Sequence, residues 1–206
     1  MSYLALLLKL LVSFAVNVWG IVHTPYVTYR RLVKQDPYQL VLVFLLVAGY
    51  FFGISPLKTG SLHPFLLSLN TARLFTAALS IYVFICLWLY FLVKTLGKEG
   101  HLGEIMLGWG YTLIPTLIWF LVTSFFYVIL PPPRTSSFWG TSFSVLYLTF
   151  SLSLLLWKGI LYYLTLRFSL KLSVWEMVLM SAVFIPTIGV ISTLAYLLGI
   201  YKIPFI

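Results

Sequence analysis

Acidic side chains are scarce. Asp36, Glu99, Glu104 and Glu176 are the only four in 206 residues, and charged residues of either sign make up 8% of the chain. A soluble domain carries about 25% charged residues, so this chain has too few to cover a water-facing globule. Four carboxylates also leave few candidates for a general base, and no paired-carboxylate or Ser-His-Asp spacing has positional support. No enzymatic activity is expected. The single cysteine, Cys86, excludes an intramolecular disulfide and a cysteine-rich metal site. It falls inside an apolar run and reads as packing. His23, His63 and His101 show no H-x-x-x-H spacing, and the topology derived below puts His63 on the opposite membrane face from the other two. Neither a metal nor another cofactor is expected.

Apolar length is what the chain has in abundance. Apolar residues make up 62% of it. A transmembrane helix needs about 20 mainly apolar residues, and five segments qualify or nearly do: 38–54, 74–93, 105–130, 142–166 and 177–200. The first is short, so its edges are expected to extend past Pro37 and Ser55. Pro131-Pro132-Pro133 ends the third, because proline cannot continue a helix. The net charge of +9 would suit nucleic acid, yet the 13 Lys and Arg are scattered between apolar runs and form no stripe. Membrane lipids are the expected partners, with a second copy or other membrane proteins beside them, and nucleic acid is not. Fourteen Tyr and seven Trp read as interface belts.

The fold expected from this is all-α: an integral membrane helical bundle forming a single domain, 1–206, with five transmembrane helices plus an N-terminal interfacial helix over 1–22. In that helix Lys9, Ser13 and Asn17 recur every four residues and make one narrow polar stripe. Such a helix either lies in the interface with its stripe toward water, which is the arrangement expected here, or crosses at a tilt with the stripe facing the bundle. It is not expected to be a signal peptide, having neither a basic n-region nor an A-x-A site.

Loop charge orients the bundle. Segments 23–37, 94–104 and 167–176 share one side and hold Arg30, Arg31, Lys34, Lys94, Lys98, Arg167 and Lys171. The other side holds Lys58, Arg73, Arg134 and Lys202. Seven against four makes the first side cytoplasmic, with the N-terminus there and the C-terminus outside. The two hairpins on that side echo each other. Lys94, Lys98, Glu104 and Pro115 correspond to Arg167, Lys171, Glu176 and Pro186, and both runs close on Ile-Pro-Thr. Parallel repeats of this kind recur in membrane folds.

Pro115 and Pro186 lie about ten residues into their spans, or ~15 Å from the edge. Each deprives the carbonyl four residues back, at Tyr111 and Ala182, of its donor. Thr112, Thr116 or Thr187 hydroxyls, a neighbouring helix or water are the candidate replacements. Gly108 and Gly110 allow close helix approach. The element Gly108, Gly110, Tyr111, Pro115, with Pro186, reads either as packing kinks or as two broken helices framing a midplane site. Lys158 is the one charge deep in a span, ~12 Å from Leu166. It reads as a functional group with Glu104 and Glu176 as its counter-charges, forming a polar core, or as a lysine that snorkels to the headgroups.

Trp19-Gly20 followed by "HTPYVTYRRL", with Pro25, Thr28 and Leu32 at the spacing P-x-x-T-x-x-x-L, resembles the opening of the Yip family of polytopic membrane proteins. Asp36-Pro37 is similar to that family's D-x-x-G-P region without its glycine. "GWGYTLIP" at 108–115 resembles its Y-G-Y-S-L-x-P element, with Trp109 and Thr112 in place of the first Tyr and the Ser. The resemblance covers nearly the whole chain from Trp19, and residues 4–18 look like an added extension. It implies a five-span fold with a cytoplasmic N-terminus. Absence of a long cytosolic domain makes this similar to the compact prokaryotic members, which are inner-membrane proteins. Trafficking roles and Rab-type GTPase contact are implied only for eukaryotic relatives. The expected function is a non-enzymatic membrane-organising or interaction role. The alternative is a small lipid or ion transporter or channel using Lys158 and the proline-kinked spans, and a polar cavity around Lys158 would favour it.

Overall fold

Proline and glycine positions set the corners of the chain. The computed structural model describes residues 3–55, 64–129 and 138–199. Among the described residues every regular element is helical. Helix α1 spans Tyr3–His23 and α2 spans Pro25–Leu32, with Pro25 in the first turn, where its missing N–H costs nothing. Gly20 admits α2 at close range, since a Cβ there would overlap the Thr28 hydroxyl. Helix α3, Gln39–Gly49, continues as a π turn over Tyr50–Ile54. Helix α4 covers Pro64–Thr95, α5 Leu102–Tyr111 and α6 Leu113–Ile129. Helix α7, Phe138–Leu164, also ends in a π turn, Thr165–Ser169. Helix α8, Val174–Leu197, opens with a capping box. The Ser173 N–H donates to Glu176 Oε2 at 2.7 Å, and the Glu176 N–H donates back to Ser173 Oγ.

Four stretches are long and apolar enough to cross a membrane: Thr71–Thr95, Leu102–Ile129, Phe138–Ser169 and Val174–Leu197. They match the second to fifth expected spans, with α5 and α6 together making the third. Gln39–Ile54 and Leu7–His23 are shorter apolar helices. Protein buries only 6% of the apolar window of Phe138–Ser169, which makes lipid its natural covering. Pro131-Pro132-Pro133, Lys58, His63, Arg134 and Lys202 lie outside the described residues.

The core gathers at one end of the bundle. Tyr29, Leu32, Leu89, Val93, Ile105, Leu107, Leu161 and Leu166 are all fully buried or nearly so. They join α2 to the facing ends of α4, α5 and α7. Nearer the other end a small cluster of Val47, Tyr50, Phe51 and Leu117 forms separately. Helix α8 meets its neighbours mostly through long side chains, with Phe184 against Trp109 and Tyr162 and a Tyr162–Ser181 hydrogen bond of 2.9 Å.

One expectation is overturned here. The polar stripe of α1 does not face water as a unit. Lys9 is exposed, but Asn17 is fully buried and Ser13 half-buried, while Leu7, Leu8, Val12 and Val16 point outward. The reason is energetic. A buried amide needs partners, and the bundle supplies Asn17 with three: Gln35, Gln39 and Arg31.

Candidate functional site

The run Gly108 to Pro115 is the junction on which the bundle closes. Proline at 115 cannot donate to the Tyr111 carbonyl, and the helix breaks one turn earlier, at Thr112, between α5 and α6. The Thr112 hydroxyl donates to the Trp109 carbonyl at 2.7 Å. Across the bundle the Thr187 hydroxyl donates to Val183 at 2.8 Å. Neither of these two candidate threonines therefore serves a carbonyl that a proline leaves without its donor, at Tyr111 or Ala182. Pro186 differs from Pro115, because α8 runs through it without interruption.

Each small residue of this run has a close neighbour. A Cβ on Gly108 would overlap Ser169 Oγ and press on Thr165 Cγ2, so the π turn after α7 rests directly on the glycine. A Cβ on Gly110 would overlap Leu40. The Tyr29 hydroxyl donates to the Gly108 carbonyl at 3.1 Å. Burial raises the Tyr29 phenol well above its usual range, which keeps it a neutral donor.

Tyr111 anchors a second feature, a buried amide hub. Gln39 Oε1 accepts from Asn17 Nδ2 at 2.8 Å and from the Tyr111 hydroxyl at 2.5 Å. Gln39 Nε2 donates to Ser13 Oγ at 3.0 Å and Gln35 Oε1 at 2.7 Å. Arg31 donates to Asn17 Oδ1 at 3.1 Å. One glutamine thus ties α1, the segment before α3, and the α5–α6 junction. Sequence reasoning missed Gln35 and Gln39. Their signal was present, for they are polar residues one helical turn apart at the mouth of an apolar run, matching the spacing of Ser13 and Asn17.

The expected polar core of Lys158, Glu104 and Glu176 splits apart. Lys98 Nζ lies 3.2 Å from Glu176 Oε1, and Lys171 Nζ lies 3.4 Å from Glu104 Oε2. The carboxylates are engaged at the hairpins, where lysines are nearer and water is available. The pairing is crossed: each hairpin lends its lysine to the other's glutamate. Reciprocal contacts of this form are what a two-fold axis generates, and the four residues are those aligned by the echo in sequence. Lys171 takes part from φ 54°, a left-handed conformation that favours glycine. The lysines are 41% and 60% exposed, so screening keeps these bonds weak. Glu104→Gln should lower the unfolding free energy in nanodiscs by less than about 1 kcal/mol. A loss of about 3 kcal/mol or more would instead mark a desolvated pair.

Lys158 belongs elsewhere. It lines a cavity of about 620 Å³ walled by α3, α4, α6, α7 and α8. An aromatic floor closes the cavity toward the α2 end. Trp109 packs edge-on to Tyr162 at 6.2 Å and to Phe184 at 5.6 Å, and the latter two stack at 5.5 Å. From Trp109 the wall climbs α6 to Phe120, about 16 Å at the rise of a helix. Phe44, Phe51 and Phe75 face it. The walls are apolar apart from Lys158 and a few hydroxyls. Thr116 Oγ1 is buried without a hydrogen-bond partner, and Lys158 has neither a hydrogen bond nor an ion pair among the described residues. Pro115 is buried in the first turn of α6 without lining the cavity, whereas Pro186 faces outward from α8. The prolines therefore do not frame the cavity as a pair.

No protein-family model matches this chain, and neither the curated proteins nor the solved structures provide a match.

Proposed function

We propose that this chain is a non-enzymatic integral membrane protein that takes an amphiphile into the cavity beside Lys158, as a small carrier or transporter does. The cavity carries the proposal: it is mostly apolar rather than the polar cavity an ion path would need, which suits an amphiphile and not an ion. Its volume falls within the range of about 300–1,000 Å³ typical of small-molecule sites, and a mostly apolar wall with a few polar groups is the usual lining of such sites. Lipid is the reservoir around the helices, and α8, joined to its neighbours mainly by side chains, forms one wall of the cavity. Lipids extracted from the purified protein provide the test. The native chain should carry bound lipid in stoichiometric amount, and Ala78→Trp, which fills the cavity from α4, should release it. Equal lipid content in both proteins would sink the reading.

A membrane-organising role of the Yip type is the second reading, and the "HTPYVTYRRL" and "GWGYTLIP" segments favour it. Thr28 and Gly108, one from each, sit at close contacts of α1 with α2 and of α5 with the π turn after α7. In either reading the chain crosses five times in a prokaryotic inner membrane, with the N-terminus cytoplasmic and the C-terminus outside, as loop charge favours. Single cysteines at 98 and 171 in a Cys86→Ala background should label from the cytoplasm, and one at 202 from the opposite side. Cytoplasmic labelling at 202 would contradict the five crossings.

A further inference from the structure

We infer that the amphiphile held in this cavity carries its charge as an anion, and that Lys158 binds its headgroup. The inference rests on the reading of the cavity as an amphiphile site and names the class that fits it.

Charge is the first argument. Among the described residues, Lys158 is the only ionisable side chain other than tyrosine on the cavity wall. A cation in apolar surroundings needs a counter-charge or it destabilises its site. This chain has four carboxylates, and none lines the cavity. Glu104 and Glu176 are held by lysines of the hairpins. Asp36 and Glu99 lie in the segments before α3 and α5. An anionic ligand would supply the counter-charge that none of these carboxylates supplies. A cationic headgroup would bring a second positive charge beside Lys158 with no carboxylate to receive it.

Hydrogen-bond supply points the same way. Of the cavity hydroxyls, Thr112 donates to Trp109 and Tyr82 donates to Met106, and Tyr162 is engaged with Ser181. Thr116 alone is buried and unpartnered. An oxyanion can accept from an ammonium and from a hydroxyl, and Lys158 and Thr116 are two donors on the cavity wall without an acceptor among the described residues.

Shape supplies the tail. One turn from Lys158, Tyr162 joins the aromatic floor with Trp109 and Phe184, which closes the route toward the α2 end. The cavity continues the other way, past Leu117 to Phe51, Phe75 and Phe120. A small inorganic anion would leave that apolar length unfilled. A single acyl chain fits it, with a carboxylate or a phosphate at Lys158.

Native mass spectrometry of the full chain in phosphatidylcholine nanodiscs tests this with three probes of equal chain length: palmitate, hexadecyl phosphate and hexadecanol. The native protein should bind at least one anion about tenfold or more tighter than the alcohol. The anion with the larger preference identifies a carboxylate or a phosphate source. Lys158→Met should lose the preference while hexadecanol binds as before, and Lys158→Arg should keep it, which separates charge recognition from misfolding. Equal binding of alcohol and anions by the native chain overturns the inference and leaves the amphiphile reading standing. A preference that survives in Lys158→Met also overturns it. Failure of all three probes to bind overturns the amphiphile reading itself.

Discussion

Gln39→Leu should destabilise the bundle by about 2–4 kcal/mol, the cost of stranding one or two buried polar groups at about 1–3 kcal/mol each. The side chain is 5% exposed and makes four hydrogen bonds. Leucine fills similar space and offers none. The Tyr111 hydroxyl loses its acceptor, and the Tyr111 residue is fully buried, so water cannot take its place. Asn17 fares better, because Gln35 and Arg31 remain. Interhelical hydrogen bonds in membranes average only about 0.6 kcal/mol in double-mutant cycles, so the size of the effect comes from the orphaned donor rather than from the lost bonds. Tyr111→Phe separates the two. It removes the phenol that would be stranded and should cost about 1 kcal/mol. The double variant Gln39→Leu/Tyr111→Phe should then be less destabilised than the sum of the singles. Denaturant unfolding in mixed micelles measures all three, and a neutral Gln39→Leu would show that the hub is not structural.

Gly108→Val should cost about 3 kcal/mol or more, at the upper end for forcing extra volume into a packed contact. The new Cβ would land on Ser169 Oγ, with Thr165 Cγ2 and Ser169 Cβ just behind it. Rotating the serine hydroxyl relieves only the first clash. Gly108→Ala should cost less, and Ser169→Gly in the same chain should recover part of the loss by removing the facing side chain. Gly103 is the control. It is helical, and a Cβ there meets nothing within 4 Å, so Gly103→Ala should be neutral or stabilising by about 0.5–1 kcal/mol. Equal losses at 103 and 108 would attribute the effect to helix chemistry in general and remove the close contact as its cause.

Hydropathy made most of the helices legible. Unbroken apolar runs between basic loops have few other solutions in lipid, and the four long helices fall on them. The break near Pro115 was legible too, because a missing N–H acts on its own helix. The direction of the Asn17 stripe was not. A narrow polar row suits water and a buried hub equally, and the deciding partner, Gln39, belongs to another helix. The same holds for Glu104 and Glu176. Their spacing from Lys98 and Lys171 was visible in each hairpin, but the crossed pairing depends on how the hairpins meet. Lys158 stood out as a lone charge, whereas its cavity left no mark on the sequence. Phe44, Leu117 and Ile188 on its wall look like any other apolar residues of a span.

The amide hub also bears on how the chain is made. Asn17 and Gln39 leave the ribosome long before Tyr111, which lies 72 residues beyond Gln39. Until that residue arrives, the amides already have Ser13, Arg31, Gln35 and each other as partners. Tyr111 is the late one, and it is the member that needs the others, since its hydroxyl finds its acceptor in Gln39. The amino-terminal third thus assembles a polar socket in advance of the side chain that plugs into it.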